Sequence, residues 1–406
     1  MSGALKGIRI IDWTIWQQGP VATQMLADLG AEVIKIEERE RGDPGRGIAA
    51  IAGGPTDIKS RRNFYFEANN KHKKSLAIDL KRPEAREIVH RLAVHSDVFV
   101  QNFRKGVAQR LGLGYADLAA INPRIIYASA SGYGPEGPDS AEPSFDYLGQ
   151  ARSGIMNAVG TGTTAPVYIQ GGIADQMGAV MLAYGVLAAL FARERTGTGQ
   201  AVDASHLGSM MALQGLNVVA RTIMGKEFPR VPRTIAFNPL WNHYRCADDK
   251  WISLAMLQPD RYWKDFCTVI GKTELIEDPR FADTKTRGSN AAALIAIFDE
   301  VFATRPRDEW MRILKGSGSD FIYTIVNSVS DLPADPQVRA NDYVVEYDHP
   351  VLGNLTLLGM PVKLSATPGD PRGHAPELGE HTEMVLTELL GYSWDDVARL
   401  REANVI

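Results

Sequence analysis

The sequence predicts a multi-domain α/β protein in which residues 1 to about 200 form a parallel sheet with helices on both faces. Three observations carry this. Strand-like runs recur at 8–13 (IRIIDW), 32–37 (EVIKIE), 75–80 (SLAIDL), 97–103 (DVFVQNF) and 124–131 (RIIYASAS), with helical patterns between several of them. The runs are mostly apolar rather than alternating, as strands buried on both faces are. The chain is 406 residues long, 45% apolar and 23% charged, which is enough for two or three domains that each bury a core without disulfides.

Between the third and fourth runs, Ala85, Ile88, Val89, Leu92 and Ala93 repeat at helical spacing behind Pro83, a residue suited to a first helical turn. After the fifth run, Met177 to Phe191 is apolar on every side and rich in Ala and Gly, so as a helix it is expected to be buried all round. The helical pattern continues through SHLGSMMALQGLNVVARTIMG. Pro229, Pro232 and Pro239 then break it, which marks a crossover into a second domain. Residues 240–325 hold Trp241, Trp251, Trp263 and Trp310 among helical runs, and GSGSD and LPADP suggest a linker near 316–336. The tail reads as a hairpin, VVEYDHPVLGNLTLL, turning near Gly353 and Asn354, followed by two helices, the last starting at Ser393 with Asp396 in capping-box spacing.

Composition narrows the function classes. Cys246 and Cys267 are the only thiols and lack CxxC spacing, so a reducing compartment is expected. No secretory start is read at MSGALKGIRIIDW, and the uncharged stretch Met177 to Ala192 is 16 residues, short of the roughly 18 to 20 a membrane helix needs. A net charge of -4 and a pI near 6.1 offer no field for nucleic acid. The expectation is a cytoplasmic protein with no nucleic-acid or membrane partner. Gly271, Lys272 and Thr273 mimic the end of a GxxxxGKT phosphate loop, but Phe266 stands where its first glycine belongs. No nucleophile elbow and no dinucleotide fingerprint support the α/β reading, and the eight histidines show no HExxH, so no metal is expected.

One charge bias remains. Lys59, Arg61, Arg62, Lys71, Lys73, Lys74, Lys81 and Arg82 face only Glu67 and Asp79 within the same stretch. Such a run is usually a solvated face. The alternative is a cradle for a polyanion at the carboxyl end of the sheet, where ligands of open α/β sheets collect.

The segments IDWTIWQQGPVATQMLADLGAEVIKIEERERGDPGR, NNKHKKSLAIDLK, DVFVQNFRKGVAQRLGLGY, NPRIIYASASGYGPEGP, GGIADQMGAVMLAYGVLAALFARERTGTGQAVDAS and LGEHTEMVL occur in order from about residue 7 to about 385. Together they resemble the family III CoA-transferases, which include formyl-CoA transferase and carnitine CoA-transferase. The resemblance implies a Rossmann-like large domain, residues 1–200 and 331–406, and a smaller α+β domain, residues 226–315. A linker helix at 201–225 and a return linker at 316–330 would join them. It also implies an interlocked dimer of ring-like subunits, a homodimer unless a sister subunit is needed.

Asp175, in GGIAD, matches the family's catalytic aspartate. Taken alone, an Asp at a helix start is more often a cap. The two roles are compatible, because exposed helix amides contribute roughly 0.3 to 1 kcal/mol in favour of a carboxylate there. Gly171 and Gly172 leave room for a thioester beside the backbone, and nearby amides are candidates for an oxyanion site. The implied chemistry moves CoA from an acyl-CoA donor to a carboxylic acid acceptor through an aspartyl anhydride and an aspartyl-CoA thioester, with CoA as co-substrate and no tightly bound cofactor. Gln17, Gln18, Ile78 to Lys81, Asn102, Phe103 and Arg110 match positions that hold CoA. Arg39 replaces an arginine that the family places at Glu38. Trp16, Phe145, Asp146, Gly171 and Gly172 are the expected substrate pocket.

Departures from the family bear on the acceptor. AFNPLWNHYRC at 236–246 stands where formyl-CoA transferase has a glycine-rich loop, and SDFIYTIVNSV at 319–329 replaces a GIP and PV pattern. Trp13, Trp16, Phe145, Tyr147, Phe237 and Trp241 are candidates for an aromatic wall, although such residues are more often core. The same fold hosts acyl-CoA racemases, whose His-Asp pair is matched here by Phe145 and Asp146, and phenylalanine cannot carry a proton. A non-catalytic subunit of a heteromer is the remaining alternative, and retention of Asp175 argues against it.

Overall fold

The computed structural model describes residues 3–51 and 53–406. Among them the chain separates into two compact units, the larger made of Met1–Asn157, Val167–Glu227 and Gln337–Ile406, the smaller of Ala158–Pro166 and Phe228–Pro336.

The larger unit is built on six strands, β1 (Arg9–Trp13), β2 (Glu32–Glu37), β3 (Lys73–Ala77), β4 (Val98–Gln101), β5 (Ile126–Ser131) and β6 (Ala201–Ser205). All neighbours are parallel, in the order β3-β2-β1-β4-β5-β6. This is the doubly wound order of Rossmann-like sheets, whose direction of winding reverses between β1 and β4. Ile10, Val33, Val98, Val100 and Ile126 point to one face, where helices α1 (Gln18–Asp28) and α5 (Ile173–Thr196) contribute Val21, Ala22, Ala179 and Leu182. Ile11, Ile34, Leu76, Phe99 and Tyr127 point to the other, against Ala85, Ile88, Val89 and Leu92 of α3 (Pro83–Val94) and Val385, Leu386 and Val397 from the C-terminal segment. Burial on both faces explains why these strands read as apolar runs. The tail joins this unit, with a hairpin of β10 (Val344–His349) and β11 (Gly353–Leu358) turning at left-handed Gly353, and a last helix capped by Ser393 and Asp396.

The smaller unit carries an antiparallel sheet of β7 (Trp241–Arg245), β8 (Trp251–Ala255) and β9 (Tyr323–Val326), in the order β9-β8-β7. Its core is aromatic: Tyr244 stacks on Phe302 at 5.0 Å, and Trp263, Phe266, Phe298 and Trp310 are buried around them.

Several boundaries differ from expectation. Residues 201–225 are no linker helix: β6 is the edge strand of the large sheet, paired from Tyr127↔Ala201 to Ser131↔Ser205, and it leads into α6 (His206–Leu213) and α7 (Gly215–Met224). The return linker expected at 316–330 contains β9, which supplies the third strand of the small sheet. GYGPEG at 132–137 does have GxGxxG spacing just after β5, but Pro135 and a turn follow, and no helix opens before Asp146. The apolar stretch ending at Ala192 lies inside the 24-residue α5, which by length and composition could cross a membrane, its mean hydropathy being 1.6. Its window is 44% buried rather than enclosed all round, and Val180, Tyr184, Leu187 and Phe191 are exposed.

Candidate active site

In doubly wound sheets the ligand crevice lies outside the carboxyl ends of the strands flanking the reversal. Here those ends are residues 14–18 after β1 and 102–103 after β4. They are tied together by Asn102, whose Oδ1 accepts the Ile15 N–H at 2.9 Å and whose Nδ2 donates to the Ile15 carbonyl at 2.7 Å. Phe103 stacks on buried Trp13 at 4.2 Å, so its ring is partly committed to the core.

The turn after β1 rests on buried ions. Trp16 has a φ of 67°, a left-handed conformation that costs a bulky residue roughly 1–3 kcal/mol and persists only where the surroundings impose it. Its N–H donates to Asp43 Oδ1 at 3.1 Å, and Asp43 in turn pairs with Lys35 Nζ at 2.9 Å. Lys35 also donates to the Thr14 carbonyl at 2.8 Å. Burial opposes the charge on Lys35, but Asp43, Asp12 and Glu37 outweigh it and raise its pKa. Beneath, Asp12 pairs with Lys73 Nζ at 2.8 Å, both side chains fully buried. Burial opposes the Asp12 charge too, yet Lys73 and Lys35 hold its carboxyl at about 2.

Helix α4 (Asp146–Ser153) and helix α5 bring the central groups together. Gly171 and Gly172 both have positive φ, 93° and 71°, which reverses the chain into α5 and leaves the N-cap without a side chain. Asp146 supplies the missing acceptor: its Oδ1 takes the N–H groups of Ala174 at 2.6 Å and Asp175 at 3.2 Å. Its Oδ2 accepts from Gln150 at 2.8 Å and from the Tyr168 hydroxyl at 3.3 Å. Asp175 thus stands in the first turn of α5, with Oδ1 2.9 Å from His206 Nε2. A Cβ on Gly172 would fall 2.6 Å from the Gln17 amide oxygen, and one on Gly178, in the second turn of α5, 2.5 Å from Gln18 Nε2. These glycines let the Gln17-Gln18 turn close on α5. Tyr65, on α2 (Phe64–Asn70), faces the same carboxylates: burial first, then Asp175, Asp43 and Asp146, push its hydroxyl far above the usual phenol range.

The expected site therefore divides. Asp175, Asp146, Gly171, Gly172, Gln17 and Gln18 converge, and Phe145, more than half exposed, meets Trp16 edge-on at 6.1 Å. Ile78 does not line a site: its side chain is buried in the sheet core and its N–H donates to the Glu37 carbonyl. Of the three cations expected to hold CoA, Arg39 is half-buried and pairs with Glu40, while Lys81 and Arg110 are exposed. Among the described residues, no hydrogen bond or ion pair links these three to the Asp175 cluster. The basic run is mostly not a cradle: Lys71 pairs with Asp28, Lys73 with Asp12, Lys74 with Glu32, and Arg62 with Glu67 and Glu377, so it is spent on internal ion pairs. The candidate aromatics each have other surroundings within their own unit. Tyr147 packs on Tyr168 at 5.1 Å, Phe237 fills the space over Gly288, and Trp241 lies exposed on β7, beside a cleft of about 560 Å³ that also touches Arg233 and His243. Both cysteines are buried in the smaller unit, where burial raises their thiols to about 11 and 12, the reverse of what a thiolate nucleophile needs.

His206 and Tyr65 were not anticipated. His206 follows Ser205, which caps α6 by accepting the Gly208 N–H, and an S-H pair at a strand-to-helix junction gives no hint of the residue opposite. The buried ions had a faint signal, a lysine inside the apolar run EVIKIE.

Doubly wound sheets collect their ligands at the switch point, and here that point holds an aspartate fixed in the first turn of a helix. The family model described as CoA-transferase family III matches residues 5–382, and the chain belongs to that family. It is 33% identical to succinyl-CoA:glutarate CoA-transferase of Mus musculus, over 99% of this chain and 90% of the relative. It is 31% identical to (R)-2-hydroxy-4-methylpentanoate CoA-transferase of Clostridioides difficile, over 99% of both. Among solved structures, a CAIB/BAIF family protein from Brucella suis aligns with a TM-score of 0.85 and 30% identity, over 96% of this chain and all of that one. The protein is thus a CoA-transferase that works on acyl-CoA and carboxylate substrates.

Proposed function

We propose that the enzyme takes CoA from an acyl-CoA donor such as succinyl-CoA and passes it to a carboxylic acid, with Asp175 as the nucleophile. The observation that carries this is the Asp175 carboxylate itself, fixed in the first turn of α5 by His206 and by the Asp146 cap, beside two left-handed glycines that keep side chains away. Asp175 attacks the donor carbonyl and expels CoA thiolate, forming a mixed anhydride. The thiolate then attacks the aspartyl carbonyl and releases the donor acid, and an acceptor carboxylate runs the two steps in reverse. Each intermediate is an activated acyl group of similar energy, so no external energy source is needed, but water must be kept out.

In this reading Gln17, Gln18, Asn102 and Phe103 line the CoA path at the switch point, and half-buried Arg39 with exposed Lys81 and Arg110 meets its phosphates. Exposed Tyr184 and Phe191 on α5 and Leu216 and Ile223 on α7 support a homodimer that covers them, since monomers rarely leave such patches open. Light scattering then gives twice 44.5 kDa for the protein purified alone.

The test of the chemistry is hydroxylamine. Added with succinyl-CoA, it should convert Asp175 to a hydroxamate and inactivate the enzyme, and Asp175→Ala should abolish turnover. Full activity in Asp175→Ala would refute the reading. A panel of acids that includes glutarate, oxalate, 2-hydroxy acids and arylsuccinates, read by mass spectrometry, identifies the acceptor.

A further inference from the structure

We infer that His206 is the oxyanion donor for reactions at the Asp175 carbonyl carbon, a role that rests on the aspartyl-intermediate reading above. His206 opens α6 directly after β6, and its side chain is only 6% exposed. The ring is fixed on several sides. A Cβ on Gly149 would fall 2.7 Å from the His206 Cβ, so α4 presses against it. Nδ1 faces the Ser144 hydroxyl at 3.4 Å, and the Leu207 N–H donates to the Gly132 carbonyl at 3.0 Å, anchoring the backbone beside it.

An ionised carboxylate only accepts, so the 2.9 Å contact requires the proton on Nε2, donated to Asp175 Oδ1. Oδ2 makes no hydrogen bond among the described residues, which leaves it as the attacking oxygen. The oxygen that stays behind as the aspartyl carbonyl is then Oδ1, already on the histidine N–H. When the CoA thiolate adds its electron pair to Cγ of the anhydride, the carbonyl π pair moves onto Oδ1. The oxyanion forms where a donor already waits, the condition for such a donor to favour the transition state over the ground state. As the pair returns, the bond from Cγ to the bridging Oδ2 breaks and the donor acid leaves as its carboxylate. Acceptor attack on the thioester repeats this, with CoA thiolate leaving. His206 keeps its proton throughout.

The role separates the two half-steps. Attack of Oδ2 on the donor thioester places its oxyanion on the donor, away from His206, whereas attack of thiolate on Cγ places it on Oδ1. The enzyme, His206→Leu, His206→Gln and Asp175→Asn are each mixed with succinyl-CoA alone. Intact-protein mass spectrometry follows covalent succinyl and CoA groups, and free succinate is assayed. The unsubstituted enzyme gains CoA and releases succinate. In His206→Leu the succinyl adduct still forms while CoA uptake slows by about 10²–10³, the usual effect of losing one oxyanion donor. His206→Gln, whose amide N–H reaches a similar place, recovers most of that loss. CoA uptake by His206→Leu within about threefold of the unsubstituted rate overturns the proposal, as does equal slowing of both adducts, which means that His206 only holds the nucleophile. If Asp175→Asn still takes up CoA covalently, the aspartyl reading itself fails, and the His206 role with it.

Discussion

Asp146 caps the helix that carries Asp175: one of its oxygens accepts the Ala174 N–H at 2.6 Å and the Asp175 N–H at 3.2 Å. The capping acceptor normally comes from the N-cap side chain. Gly172 has none, so α4 supplies it from outside, and the position of Asp175 depends on a second helix. Asp146→Ala should leave these amides without their acceptor and strand the Gln150 and Tyr168 donors. Hydrogen bonds to a charged group contribute about 1.5–3 kcal/mol each, so the loss should be at least that of one bond. Urea unfolding measures it as a lower midpoint at unchanged slope. Turnover should fall by about 10², because a nucleophile displaced by 1 Å loses its attack geometry. Asp146→Asn keeps one accepting oxygen and should lose less on both counts.

Gly171 and Gly172 should respond differently to alanine. Both pay for a positive φ, which costs a residue with a Cβ roughly 1 kcal/mol. Around Gly171 no atom lies within 4 Å of the added Cβ, whereas at Gly172 it meets the Gln17 amide at 2.6–2.9 Å. Gly172→Ala must therefore displace the Gln17 amide and should raise the KM for the CoA substrate about tenfold, against little change in Gly171→Ala. Equal KM values in the two variants would separate Gln17 from the CoA path.

The Asp12 and Lys73 pair makes stability fall in acid. The folded Asp12 carboxyl sits at about 2, below its ordinary 3.8. Its contribution is complete above pH 3.8 and disappears as pH drops through 2. The interval from 3.8 to about 2 corresponds to about 2 kcal/mol. Burial pulls Lys73 down to about 8 despite Asp12, so the pair stays ionised at neutral pH. Replacing Asp12 alone would leave a buried ammonium unpaired at a cost of about 3–5 kcal/mol, so the informative variant is Asp12→Asn with Lys73→Met. Urea midpoints taken from pH 5 to pH 2 should fall less steeply in the double variant than in the parent.

Much of this fold was legible in the sequence because it follows from local pattern. The apolar runs of β1, β2, β4 and β5 and the spacing of Ala85 to Ala93 are set by burial on two faces, which leaves a periodicity, whereas β3 starts on Lys73 and Lys74, two residues before the expected run, and ends at Ala77. Boundaries set by long-range pairing were not legible. β6 reads AVDAS and is a strand only because β5 offers it an edge, and β9 hides in a stretch with linker composition for the same reason. Within the site, Asp175 and the two glycines came from GGIAD, a motif contiguous in sequence, and Asp146 from the position matched to the racemases' His-Asp pair. His206 lies 31 residues from its partner, and only the turn from β6 into α6 brings it back. The basic run misled because charge counting cannot tell a solvated lysine from one, like Lys73, that neutralises a carboxylate under the sheet.

His206 also bears on whether this enzyme moves protons at carbon. A racemase of 2-methylacyl-CoA needs two acid/base groups facing opposite sides of the substrate carbon. Phe145 stands where one would be expected and cannot serve. His206 Nε2 is hydrogen-bonded directly to Asp175 at 2.9 Å, so the two groups meet each other on one side and no carbon fits between them. The enzyme should therefore leave the α-proton of a 2-methylacyl-CoA in place. Incubation in deuterated water followed by mass spectrometry checks this, with CoA transfer from the same thioester to an acceptor acid as the positive control. Deuterium uptake at a rate comparable to transfer would mean that Asp175 and His206 part on substrate binding and act as separate bases.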